Sequence, residues 1–121
     1  MTSEFWYIAT PYTKYEKGVV AAFEDASKAA ALLVRDHQLN VFCPIAHTHP
    51  LAIYGGLPDT DYKLWLGLDQ PFIEAATGLI VVHMPGWEIS YGVTFEIEQF
   101  VQLNKPIRHF SWPDLREIIP Q

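Results

Sequence analysis

Hydrophobic positions along the chain fall into blocks whose spacing alternates between that of strands and that of helices. Phe5-Trp6-Tyr7-Ile8-Ala9 is a short aromatic and β-branched run that stops at Thr10-Pro11, the pattern of a buried strand ending in a loop. From Gly18 to His37, apolar residues recur at Val19, Val20, Phe23, Ala26, Ala30, Leu33 and Val34, while Glu24, Asp25, Lys28 and Arg35 lie largely off that stripe. This spacing predicts a long amphipathic helix. Val41-Phe42-Cys43-Pro44 reads as a second strand broken by proline. An irregular segment from Ile45 to Pro58 follows, with Gly55-Gly56 supplying a turn.

Asp59 to Ala76 carries Leu64, Trp65, Leu68, Phe72 and Ile73 at helical spacing, and Pro71 is expected to kink or divide the segment. Gly78-Leu79-Ile80-Val81-Val82 is continuously apolar, as a strand buried on both faces must be, and belongs at the centre of a sheet. Val93, Ile97, Phe100 and Val101 define another amphipathic helix ending near Asn104. Pro106 to Phe110 gives a last strand, and Pro113 to Ile119 a short terminal helix. Strands alternating with helices, joined by connections long enough for parallel pairing, predict a flavodoxin- or Rossmann-like open parallel sheet of four or five strands with helices on both faces. The whole chain, 1–121, is read as one domain. In such sheets a ligand sits beyond the carboxyl ends of the strands, which here means the segments Thr10 to Lys17, Ile45 to Pro58 and His83 to Ser90.

Composition narrows the partners. Eight Lys plus Arg against 14 Asp plus Glu give a formal net charge of −6, with no basic cluster of the kind that holds a nucleic-acid duplex. The longest apolar runs, Ala29 to Val34 and Leu79 to Val82, fall far short of the ~20 residues that span a bilayer. Met1 to Glu4 has neither the basic nor the apolar region of a signal peptide, so a cytoplasmic protein without membrane contact is expected. Cys43 is the sole cysteine, which excludes an intrachain disulfide and reads as a small buried hydrophobe.

Candidate chemistry gathers at Ser90-Tyr91-Gly92-Val93-Thr94-Phe95-Glu96. Ser90 suits an N-cap, and Gly92 and Glu96, four apart, share a helix face on which the missing side chain leaves room beside the carboxylate. That spacing is common, and by itself Glu96 reads more readily as a solvated helix residue than as a nucleophile. His47 and His49 alternate across Thr48 and in an extended segment would point the same way. Nothing in the spacing demands a third ligand, so they are read as hydrogen-bonding groups at a substrate mouth, with no metal and no cofactor expected. Trp87 either stacks on a nucleobase or plugs a core or subunit interface.

Tyr7-Ile8-Ala9-Thr10-Pro11-Tyr12, together with the Ser-x-Gly-x-x-x-Glu string, resembles the nucleoside 2-deoxyribosyltransferase superfamily. Its members open with a Tyr-apolar-Ala-Gly-Pro-like strand and carry a nucleophilic Glu in a Gly-x-x-x-Glu helix. The resemblance is closest to its small uncharacterised bacterial and phage members, of the DUF1937 and DUF4406 type, which share the Met-Pro-Gly-Trp-Glu-x-Ser-x-Gly-Val string seen from Met84 to Val93. It implies catalytic roles for Glu96 as nucleophile toward an anomeric carbon, Tyr7 as its orienting partner and Asp69 on the base side. It further implies that Thr10, standing where the family has Gly, and Ser90 and Gly92 contact the substrate, and His47 and Trp87 join them as substrate-binding candidates from their place in the loops at the strand ends. In the nucleotide-cleaving branch the Ser90 position binds the 5′-phosphate. Two carboxyl groups also suit the chemistry directly, since cleavage of an N-glycosidic bond puts positive charge on the sugar and negative charge on the base. Glu96 is expected to ionise near the ordinary value of about 4.3, whereas Asp69 needs a raised value to act as an acid.

The expected function is therefore deoxyribosyl transfer or hydrolysis at the N-glycosidic bond of a small-molecule nucleoside or nucleotide, through a covalent glycosyl-Glu96 intermediate. Its rival is a nucleotide-binding or sensing module that catalyses nothing; a third reading is an interaction protein using Trp87 and Tyr91. Four Trp and six Tyr in so short a chain lead us to expect a homodimer or larger homo-oligomer, as does the resembling family, whose sites are completed across subunits.

Overall fold

The computed structural model describes residues 4–59 and 61–119. Its elements run β1 (Trp6–Ala9), α1 (Val19–His37), β2 (Val41–Phe42), α2 (Pro44–Gly55), α3 (Tyr62–Ala75), β3 (Gly78–Val82), a single 3₁₀ turn (Trp87–Ile89), α4 (Tyr91–Gln102), β4 (Ile107–Phe110) and β5 (Glu117–Ile118). The sheet order is β2-β1-β3-β4-β5. The first four strands are parallel, and β5 runs antiparallel to β4 at the edge.

Strand periodicity sends alternate side chains to opposite faces. Ile8, Ile80, Val82 and Phe110 pack against the Ala22, Ala26, Ala29 and Leu33 stripe of α1. Tyr7, Ala9, Leu79 and Val81 face the other way, against Ile73 of α3 and Val93 and Phe100 of α4. Small alanines let α1 lie close to the sheet, and β3 is buried along its whole length, as its uninterrupted apolar sequence requires. At Gly78 a β-carbon would come within 2.5 Å of both the Pro106 carbonyl and the Trp6 ring, so only glycine allows β3 to start between them. Because β1 sends the chain to β2 on one side while β3 and β4 extend the other, the order reverses between β1 and β3. A crevice opens at that switch point, beyond the carboxyl ends.

Three local expectations are corrected. The segment Ile45 to Pro58 is mostly helical: α2 begins with Pro44 at its first turn, where a missing N–H costs nothing, and ends on Gly56 in the left-handed conformation at φ 72°. Its apolar spacing is weak and Pro50 lies inside it, so no stripe betrays it. Pro71 does not divide α3, which is continuous from an Asp61 N-cap that accepts from the Leu64 N–H at 3.2 Å. The terminal segment forms β5 rather than a helix, tied to β4 by the two-pronged pair of Arg108 and Glu117 at 2.7 and 2.8 Å and by burial of Leu115. Cys43 is buried at the start of α2, as expected, and burial pushes its thiol up to about 11. Among the described residues no helix is long and apolar enough to cross a membrane.

Candidate active site

The crevice is walled by four pieces of chain: the loop after β1, α2, the start and one face of α3, and the first turns of α4. At α4 the local sequence does what its residue types dictate. The Ser90 hydroxyl accepts from the Val93 N–H at 3.3 Å and caps the helix, and one turn separates Gly92 from Glu96, both of which line the crevice. A β-carbon added at Gly92 would meet nothing within 4 Å, which is the open space beside the carboxylate.

Glu96 lies on the inward edge of α4 and is buried, at 9% exposure. Removal from water disfavours its charged form and raises its carboxyl to about 8; the nearby Tyr7 hydroxyl pulls the other way, and the Asp69 charge adds to the rise. Asp69, on α3, is raised to about 6, again chiefly by burial and again opposed by Tyr7. Tyr7 is fully buried at the centre of β1, its ring held by Phe42 and Phe100 at 5.9 and 5.7 Å. Burial and the two carboxyl groups drive its phenol far above the ordinary value, so it remains a proton donor at every physiological pH. Its hydroxyl and Oδ1 of Asp69 are buried and have no well-formed hydrogen bond within the protein. The three side chains implied by the resemblance thus meet in one place.

One electrostatic expectation is overturned. Glu96 does not keep an ordinary acidity; it holds its proton more tightly than Asp69 does, because it is buried whereas Asp69 is only half-buried.

A match to a family model described as a domain of unknown function, DUF1937, covers residues 4–112. The chain belongs to this family. No curated protein matches it. The DUF1937 segment takes in every crevice residue and stops short of β5, so the site lies wholly inside it while the edge hairpin does not.

The remaining expected substrate residues divide in this DUF1937 chain. Thr10 lines the crevice, buried at 5% exposure with its hydroxyl unpaired. His47 is exposed on the far side of α2, near the Phe42 and Phe72 rings that stack at 4.0 Å, and does not line the crevice. His49 lines it instead. Positions two apart point the same way in a strand but about 200° apart on a helix, so the correction of loop to helix also exchanges the two imidazoles. Trp87 lies away from the crevice, stacked on His83 at 4.1 Å, with His83 and His109 joined at 2.8 Å. Among the described residues no three His, Cys, Asp or Glu side chains are grouped to hold a metal ion.

Sequence reasoning missed the wall opposite Glu96. The Tyr12 hydroxyl, kept protonated by burial and the neighbouring Asp59, is hydrogen-bonded to Nδ1 of His49 at 2.7 Å. His49 is further fixed by stacking on Phe23 at 4.5 Å. At the mouth, Tyr62 meets the Thr13 hydroxyl at 3.1 Å, and Trp65 donates to the Pro58 carbonyl at 3.0 Å, pinning the α2–α3 connection. The signal for α2 was present in Pro44 and Gly56, a proline at a helix start and a glycine after its end.

Proposed function

We propose that this protein cleaves the N-glycosidic bond of a nucleoside, passing the glycosyl group to water or to a second base. The reading rests on one observation: the buried Glu96 carboxyl and the half-buried Asp69 carboxyl, both lining one crevice, lie beside the buried, protonated Tyr7 phenol. The resemblance of the β1 and α4 motifs to the deoxyribosyltransferase superfamily supports it.

In the productive state Glu96 is ionised and Asp69 protonated. A Glu96 oxygen bonds to the anomeric carbon as the carbon–nitrogen bond breaks, the bonding pair stays on the base nitrogen, and the Asp69 proton neutralises the departing base. Water or an acceptor base then attacks the same carbon, gives its proton to Asp69, and releases the Glu96 carboxylate. Tyr7 donates toward the carboxylates, stabilising the charged form that attacks. Asp59, Asp69 and Glu96 make the charged lining acidic, which repels a phosphate and favours an unphosphorylated nucleoside.

The second reading, binding without turnover, is favoured by the Glu96 carboxyl being neutral at pH 7 in the free protein. A chromatographic assay for free base over a panel of ribo- and deoxyribonucleosides separates the two. A 2-fluoro sugar should trap an adduct one glycosyl unit heavier on wild-type protein and none on Glu96→Gln. Equal turnover by wild type and Glu96→Gln on a proven substrate would refute the nucleophile, and binding without base release would establish the second reading.

A further inference from the structure

Three buried polar side-chain atoms among the described residues have no hydrogen-bond partner: the hydroxyls of Tyr7 and Thr10, and Oδ1 of Asp69. All three residues belong to the crevice region, but only two serve the chemistry already described. Thr10 lies three residues past Tyr7, roughly 10 Å further along the strand direction at ~3.3 Å per residue. Its side chain is 5% exposed and lines the crevice.

A buried hydroxyl left unpaired destabilises a folded chain, and nearly all such groups find partners. Neighbouring hydroxyls of the same crevice have done so: Tyr12 is bonded to His49 at 2.7 Å, and Thr48 to the Pro44 carbonyl at 2.9 Å. Thr10 alone of the three is left for an occupant. A threonine hydroxyl both donates and accepts, and a ligand hydroxyl answers both roles at once. The acidic groups along the crevice, Asp59 among them, argue against a phosphate as that partner.

We propose that Thr10 is a specificity-determining residue whose hydroxyl pairs with a sugar hydroxyl of the bound ligand. The proposal deepens the nucleoside reading and rests on it for the identity of the ligand. A site that keeps such a group unpaired when empty rejects an analogue lacking the matching hydroxyl, because that analogue leaves the group buried and unsatisfied.

The test uses Thr10→Val, of the same shape without the hydroxyl, and Thr10→Ser, which retains it. Melting of the free proteins is measured first, then calorimetric binding of ribonucleosides, their 2′-, 3′- and 5′-deoxy counterparts, and free ribose. Thr10→Val should raise the melting temperature of the free protein by about 4 °C, since it removes an unpaired buried group. It should weaken the parent nucleoside about tenfold, or about 1.4 kcal/mol. One deoxy ligand should lose about tenfold against wild type and nothing further against Thr10→Val, and Thr10→Ser should bind as wild type does. Loss of melting temperature in Thr10→Val, or equal losses for every deoxy ligand in both proteins, overturns the proposal. Coupled binding without base release leaves Thr10 as assigned and removes the glycosidic reading; base release without coupling does the reverse; binding of none of these ligands removes both.

Discussion

Replacing Glu96 by Gln should make the protein more stable at alkaline pH and leave it nearly unchanged at pH 4. The ordinary value of this carboxyl is 4.5, and burial raises it to about 8 in the fold. Between those values the folded chain binds the Glu96 proton more tightly than the unfolded chain does, so stability falls as pH rises. The favourable contribution is complete below 4.5 and is lost by the time pH has passed 8. At about 1.36 kcal/mol per pH unit, the interval corresponds to about 5 kcal/mol. That is a large share of the ~5–15 kcal/mol that holds a domain of this size together. Glutamine keeps the shape and never ionises, so any fixed gain or loss from its amide is the same at every pH. Urea unfolding of wild type and Glu96→Gln at pH 4, 6, 8 and 9 reads the difference directly, with Asp69 present in both proteins. The variant should gain steadily on wild type, by several kcal/mol in all. A difference that stays constant over this range would show that Glu96 ionises as an exposed carboxyl does, and the description of its burial would be wrong.

On a proven substrate, kcat/KM should follow a bell with apparent limbs near 6 and 8 that belong to the carboxyl pair; in Asp69→Asn the residual activity should lose the falling limb and keep one rising limb below 8, because only Glu96 still titrates and it has lost a neighbouring negative charge, and a retained bell in a pH–rate series refutes the coupling. Tyr7→Phe should lower turnover by about 10²-fold and push the carboxyls of Glu96 and Asp69 further up, since the phenol hydroxyl is the group that opposes their rise; unchanged kcat removes its role. Gly78→Ala should destabilise by more than about 2 kcal/mol in urea, because its β-carbon would overlap the Pro106 carbonyl and the Trp6 ring, and a neutral result would mean that β3 and β4 separate easily. The homo-oligomer expected from the aromatic content is checked by light scattering, where a monomer at all concentrations overturns it.

How far the sequence reveals this architecture depends on how strongly each element announces its period. β3 is an unbroken apolar run and α1 carries a full stripe, so both are legible, and the switch between β1 and β3 follows from the order in which strands and helices alternate. α2 was hidden because it covers a crevice rather than a core. Its inward residues are Pro44, His49 and Ala52, a set with no hydrophobic period, and they line an open crevice instead of a packed core. β5 failed for a different reason: it is two residues long, too short to show a period, and is held by the Arg108–Glu117 pair and by its antiparallel pairing with β4.

The site shows the same division between what a motif carries and what the fold adds. Tyr7, Asp69 and Glu96 were legible as residue types at matching positions, and the fold brings them together. Their acidities were not, because a pKa reports how much water and how many charges surround a group after folding. A glutamate on the edge of an amphipathic stripe reads as half-exposed, yet α4 packs Val93 and Phe100 deeply enough to take Glu96 with them. The consequence is chemical as well as structural. With Glu96 at about 8 and Asp69 at about 6, the arrangement of protons that catalysis needs, ionised Glu96 beside protonated Asp69, is a minor one in the empty crevice. A ligand favours the inversion if its developing positive charge lies against Glu96 and its base nitrogen against Asp69. An enzyme built in this way keeps its nucleophile neutral until the right substrate arrives, and a binding module has no need of the inversion at all. The pH dependence of binding therefore separates the two: affinity for an uncleavable nucleoside analogue that places a cation at the anomeric position should rise as pH passes 8, whereas a site that only binds neutral nucleosides should show no such rise.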